Sequence, residues 1–238
     1  MRSLALTFLA LVYIPVIQAN ASEPGQAPND ISSFTWGARV GFAATGTYLT
    51  DARIEGHKIK DYSQDTQVGN FASIQLRFNT RNFLVQSGIG LNMNKSTFIV
   101  DKNSWNPALE SKDEITCSYS MISISVPIQA GYHIVNQPPY CMSVFTGPRF
   151  RYMPDKFYSI NYSNTDPFTF SDSPTDIAVG WTAGVSIQIG RTFLDFEYEA
   201  TINNISKPMV ETSGANPAPD YKMNRRVSIF SFAFGIMF

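Results

Sequence analysis

Ile177-Ala178-Val179-Gly180-Trp181-Thr182-Ala183-Gly184-Val185-Ser186-Ile187-Gln188-Ile189 alternates with a period of two. Ile177, Val179, Trp181, Val185, Ile187 and Ile189 fall on one face, and Gly180, Thr182, Gly184, Ser186 and Gln188 on the other. A strand sends successive side chains to opposite faces, so this run reads as a strand with one apolar face. Gly190–Thr192 then makes a short turn. The next run repeats the rule, with Leu194, Phe196, Tyr198 and Ile202 alternating against Asp195, Glu197, Glu199 and Thr201. Together they read as a hairpin whose two faces differ sharply in polarity.

Six more runs behave alike. Phe34–Phe42, Ala72–Phe78, Phe83–Met93 and Ile122–His133 each put apolar residues in one phase and Gly, Ser, Gln, Asn or Arg in the other. Tyr140–Arg151 is rougher, with Tyr140, Met142, Val144 and Phe150 opposing Ser143, Gly147, Arg149 and Arg151, and Phe145 out of phase. Phe230, Phe232, Phe234, Ile236 and Phe238 close the chain. Several of the eight runs reach the roughly 9–11 residues that a tilted strand needs to cross a bilayer.

The connections alternate too. Asn79–Asn82, Asn136–Pro139 and Gly190–Thr192 are short, whereas Thr45–Gln67, Lys95–Glu114, Met153–Thr175 and Asn203–Arg225 are long and polar. Short turns at one end and long loops at the other is the layout of bacterial outer-membrane barrels. The expected fold is all-β: an eight-stranded antiparallel up-and-down transmembrane β-barrel, with short periplasmic turns and long extracellular loops, over residues 33–238. The even strand count puts both termini at the short-turn end.

Composition fits this reading. Charged residues make up 16% of the 238, against about 25% in a typical soluble protein. Aromatics reach 13%, and the net charge of -1 implies no pull toward nucleic acid. Arg2, the apolar run Leu4–Ile17 and Ala19-Asn20-Ala21 have the pattern of a signal peptide over residues 1–21, cleaved after Ala21 or after Ala19. Residues 22–32 read as a flexible leader. Cys117 and Cys141 fall on neighbouring strands but far apart along them, so both are expected to be free thiols. With no CxxC, Cys/His cluster, zinc spacing or phosphate-binding loop, no metal and no cofactor are expected.

A secreted lipocalin-like carrier would alternate as well, with its apolar side chains inward around a ligand and Lys and Glu outside. Here the polar phase is poor in Lys, rich in Gly, Ser, Gln and Asn, and makes a poor water-facing surface. It suits a narrow lumen in which Arg39, Arg77, Asp195, Glu197 and Glu199 pair. The apolar phase carries almost no charge, as a lipid face requires, since a charge at mid-bilayer costs about 2–4 kcal/mol. Eight strands enclose only enough space for their own side chains, which argues against a diffusion porin. Pro127 lacks an N–H for the ladder, so a local irregularity repaired by a bulge or a lumen-side water is expected at Ser125–Gln129.

Several segments resemble the PorT-like outer-membrane β-barrel proteins of the Bacteroidetes. They are Ile122-Ser123-Ile124-Ser125-Val126-Pro127-Ile128, Thr146-Gly147-Pro148, Leu194-Asp195-Phe196-Glu197-Tyr198 with Ile202-Asn203-Asn204-Ile205, and the strand ending at Phe238. The resemblance spans roughly residues 33–238. It departs at Ser125–Gln129, which is more polar before the proline and lacks the Lys that often follows it. It implies an outer-membrane location and little about activity.

The expected role is that of a non-enzymatic structural or interaction barrel, with outer-membrane lipid, the barrel-insertion machinery and other envelope proteins as partners. Phe232, Phe234, Ile236 and Phe238 resemble the terminal signal by which such barrels are recognised for insertion. Tyr48, Tyr62, Trp105, Tyr158 and Tyr162, with Phe157, Phe168 and Phe170, are candidate loop-binding residues, or else an interface belt. A lipid-modifying enzyme is the remoter alternative. It would have to build on His57 with Asp51, Glu55 and Ser63, a weak match to the base, nucleophile and orienting acid that such chemistry needs.

Overall fold

The computed structural model describes residues 33–54, 57–58, 62–101, 114–154, 158–163, 170–171, 173–205, 207, 210–211 and 222–238. The expected signal peptide and leader, and Trp105, Phe157 and Phe168 among the aromatics, lie outside the described residues.

Eight long strands form the molecule: β1 (Ser33–Ile54), β2 (Gln67–Asn79), β3 (Phe83–Asp101), β4 (Glu114–Gln137), β5 (Tyr140–Tyr152), β6 (Ile177–Ile189), β7 (Thr192–Thr201) and β8 (Lys222–Met237). Each pairs antiparallel with the next in sequence. β8 returns to β1 through a long register from Gly37↔Met237 to Arg53↔Lys222, which closes the ring. Closure leaves no edge among the eight and satisfies the backbone without water, as a bilayer requires. Among the described residues no helix is long and apolar enough to cross a membrane.

Burial follows the alternation, with its sense inverted relative to a soluble barrel. Phe34, Trp36, Val40 and Phe42 of β1 point outward while Arg39 is buried. Ile74, Leu76 and Phe78 of β2 and Phe230, Phe232, Phe234 and Ile236 of β8 are exposed, whereas Gln75, Arg77 and Ser231 are buried. The apolar set therefore lines the outside, which rules out the lipocalin-like arrangement. Trp36 stacks on Phe238 at 4.6 Å and Phe83 meets Tyr132 edge-on at 5.4 Å, beginning an aromatic girdle near the short-turn end.

Out-of-phase Phe145 is buried in the lumen. It fits because Gly184 faces it: a Cβ there would lie 2.6 Å from the Phe145 ring. Gly190 answers a different demand. It opens the β6–β7 turn with φ +59, the left-handed conformation that short hairpins use to match strand twist. Nothing lies within 4 Å of a Cβ added there, so a substitution is penalised by the backbone alone. Gly190→Val is expected to cost about 1–2 kcal/mol in urea unfolding. An unchanged midpoint would contradict this account of the turn.

Two sequence expectations need correction. Thr45–Ile54 and Lys95–Asp101, read as loop, continue β1 and β3. With 22, 19 and 24 residues, β1, β3 and β4 run well past the length a bilayer needs. The short strands Tyr62–Asp65 and Tyr158–Ser163 pair with β3 and β4 and widen this extension. Tyr48, Tyr62, Tyr158 and Tyr162 thus sit on strands rather than on loops.

At Pro127 the ladder is irregular, as the missing N–H predicts. Pairing lapses between Ser87↔Ile128 and Gly90↔Ser125 on one side, and between Pro127↔Arg149 and Ala130↔Thr146 on the other, with no slip of register. No bulge forms there. The Ser87 hydroxyl donates to the Pro127 carbonyl at 2.8 Å.

Candidate functional site

The period of two on β7 sends Asp195, Glu197 and Glu199 to the same side, into the lumen. β7 is flanked by β6 and β8, whose inward residues nearby are small: Thr182, Gly184 and Ser186 on one, Ser231, Ala233 and Gly235 on the other. Long side chains from the strands beyond can therefore reach the carboxylates. Arg39 arrives from β1, Arg149 and Arg151 from β5.

The result is a continuous ladder of ion pairs. Arg39 Nη1 donates to Asp195 Oδ2 at 2.8 Å and also to Glu197 Oε1. Glu197 Oε2 accepts from Arg149 Nη2, and Arg149 Nη1 donates to Glu199 Oε2 at 3.1 Å. Arg151 Nη2 donates to that same Glu199 oxygen at 2.7 Å. The three carboxylates are at most 2% exposed. Buried charges of this kind are tolerated only when paired and hydrogen-bonded. Arg39 gains further support from Ser73, to which its Nε donates at 2.9 Å, and from the Phe71 ring 5.6 Å away.

Arg77, grouped with this network in the sequence, is set apart from it. Its guanidinium donates to Gln86, Gln188 and Ser186 at 3.0–3.5 Å and lies 5.7 Å from the Phe193 ring. Gln86 donates onward to Gln129 at 2.8 Å, and Gln129 to Thr182 at 2.6 Å, so an amide relay crosses the lumen. Arg149 and Arg151 take the place expected of Arg77. Their inward phase was visible in the sequence; their partners, two strands away, were not.

Toward the long-strand end the lumen turns apolar. Ala43, Tyr119, Met121, Met153, Ala178, Ile205, Val227 and Ile229 form one buried cluster, with Phe71 packed against it. Ile205, which follows β7, is held in place by two backbone bonds: Thr175 N–H donates to its carbonyl, and its own N–H donates to Arg225 O, both at 2.9 Å. Beside this plug the Thr47 and Tyr119 hydroxyls meet at 2.7 Å. At the opposite end His133 Nδ1 lies 2.8 Å from Ser143 Oγ and 3.3 Å from Cys141 Sγ. Cys117 on β4 and Cys141 on β5 form no disulfide, and Cys141 lies opposite Asn136. Of the enzyme candidates, His57 lies on a short strand piece paired with Ile54; Glu55 is outside the described residues.

Phe232, Phe234 and Ile236 all face outward on β8. Phe238 N–H donates to Trp36 O at 2.7 Å, and Trp36 N–H to Phe238 O at 3.3 Å, so the chain end clamps the β8–β1 seam.

A closed ring of eight strands, apolar outside and ion-paired inside, has a counterpart among known proteins. The family profile described as "outer membrane protein beta-barrel domain" matches residues 18–207. This chain belongs to that family. The barrel therefore resides in the outer membrane, its short turns in the periplasm and its long strand extensions outside the cell.

Among solved structures it is similar to the outer membrane protein OprG from Pseudomonas aeruginosa, at 12% identity and TM-score 0.54 over 88% of this chain and 98% of that one. It is also similar to Ail, the attachment invasion locus protein of Yersinia pestis, in complex with the heparin analogue sucrose octasulfate. There the identity is 12% and the TM-score 0.38, over 87% and 99% of the two chains. Neisserial surface protein A matches at 13% identity and TM-score 0.38 over 84% and 96%. No curated protein matches the chain. At 12% identity the likeness to OprG speaks to the fold alone.

Proposed function

We propose that this outer-membrane barrel is a closed, non-enzymatic anchor. It meets other envelope components through its outer strand extension and its periplasmic turns, not through its lumen. The observation that carries this reading is the filled interior. The ion-pair ladder and the amide relay occupy the membrane-level lumen, and the apolar cluster closes it toward the outside. Arg39 and Arg149 hold the lumen carboxylates, which are therefore not free to act as a general base. The four motif segments that resemble PorT-like barrels support placing the chain with those proteins of the Bacteroidetes. Export through a cleaved signal peptide and insertion guided by Phe232, Phe234, Ile236 and Phe238 complete the reading.

Purified protein in a planar lipid bilayer tests the closed lumen. The expected record is flat, and stable stepwise conductance would contradict it. Cross-linking in intact envelopes tests the anchor role, with discrete adducts expected. Adduct yield should fall when Tyr48, exposed on β1, is replaced by Ser.

A further inference from the structure

A separate group of chemistry-bearing side chains lies at the periplasmic mouth, away from the ion-pair ladder. Cys141 stands at the start of β5 and His133 near the end of β4. The two strands pair as far as His133↔Ser143, and then the register slips, so that Val135 faces Met142 and Asn136 faces Cys141. Ile134 and Val135 both point outward, 54% and 38% exposed, while His133 stays buried. A bulge of this kind re-aims side chains. Here it keeps the His133 ring on the lumen side and diagonal to Cys141, with Nδ1 3.3 Å from Sγ and 2.8 Å from Ser143 Oγ.

A thiol with a base in hydrogen-bond reach has the arrangement of an activated nucleophile. On its other flank Cys141 faces Gln188 of β6, which accepts from Arg77 at 3.4 Å. Arg77 is buried, donates to neutral acceptors, and lies within electrostatic reach of Cys141. A positive neighbour favours the charge that builds on sulfur during attack and opposes a bound cation. Among the described residues no third His, Cys, Asp or Glu joins the pair as a metal ligand. Access separates the two cysteines as well. Cys117 is 0% exposed toward the outer end of β4, whereas Cys141 is half-buried and directly follows the exposed Pro138-Pro139-Tyr140 segment.

We propose that Cys141, with His133 as its base, is a thiol–disulfide exchange site that takes small disulfides from the periplasm. Its position sets the size class, because Cys141 faces into the mouth of an eight-stranded ring that a folded protein cannot enter. In the exchange Cys141 Sγ attacks one sulfur of the incoming disulfide, whose S–S bond breaks as the new one forms. The Cys141 proton passes to His133 Nδ1 and from there to the departing sulfur, which leaves with the bonding pair as a thiol. Cys141 is thereby oxidised to a mixed disulfide, and the departing half is reduced. A second thiol reverses the step by the same route.

The test treats the full-length barrel, folded in detergent, with hydroxyethyl disulfide and maps adducts by mass spectrometry. One mixed disulfide is expected, on Cys141 and not on Cys117, and Cys141→Ser is expected to remove it. His133→Ala is expected to slow its formation about tenfold or more, with partial rescue by added imidazole, which a merely structural role would not show. If His133→Ala does not fold, His133→Gln takes its place with the same slowing expected. Insulin, whose disulfides are carried on a protein, is expected to give no adduct. No adduct with the small probe, equal labelling of both cysteines, or an unchanged rate without the His133 imidazole would overturn the proposal. An insulin adduct formed as fast as the small one would overturn its size class.

Discussion

Glu197→Ala is expected to destabilise the barrel by about 3–5 kcal/mol, the cost of breaking a buried ion pair by removing one partner. Glu197 is the middle rung. One of its oxygens accepts from Arg39 and the other from Arg149, so its loss takes one partner from each of two guanidiniums. Asp195 still holds Arg39 and Glu199 still holds Arg149, which keeps the loss within that range. The measurement is the urea unfolding midpoint in lipid vesicles, followed by tryptophan fluorescence. A loss below about 1 kcal/mol would mean that water already reaches the ladder, as at an exposed pair.

Val40→Arg is expected to cost about 2–4 kcal/mol, because it places a charge at mid-bilayer on the lipid face. Val40 is 61% exposed and sits six residues along β1 from Phe34, near the middle of the crossing. Val68 is exposed to a similar degree but lies at the outer end of β2. The same substitution at Val68 is expected to cost only about 0–1 kcal/mol, since the penalty falls toward the interface. The difference between the two sites carries the information. Equal penalties would place the bilayer elsewhere on the barrel.

The strands were legible because lipid on one side and a packed lumen on the other impose a strict period of two. Where that contrast ends, legibility ends. Past Ala44 and Asn94 the outward phase is no longer apolar, with Gly46, Thr50 and Lys95 in it, so Thr45–Ile54 and Lys95–Asp101 read as loop. The apolar plug was hidden for a related reason. Tyr119, Met121, Val227 and Ile229 keep the inward phase but carry the chemistry of the outward one.

The candidate site was legible by face and not by partner. Asp195, Glu197 and Glu199 were placed inward by parity alone, as was Arg39. Which arginine meets which carboxylate depends on strand tilt and on which neighbours are small enough to reach across. Neither can be read from a single strand. Arg77 therefore fell to the glutamine relay, and Arg149 and Arg151, in the correct phase of the roughest run, completed the ladder.

The most direct test of the inside-out barrel is its mobility on a gel, boiled against unboiled, in protein from the outer-membrane fraction. The account predicts a clear shift, since a closed eight-stranded ring with a buried ion-pair ladder resists detergent until heated. A protein released in soluble form with no shift would contradict it, and its apolar residues would then have to point inward.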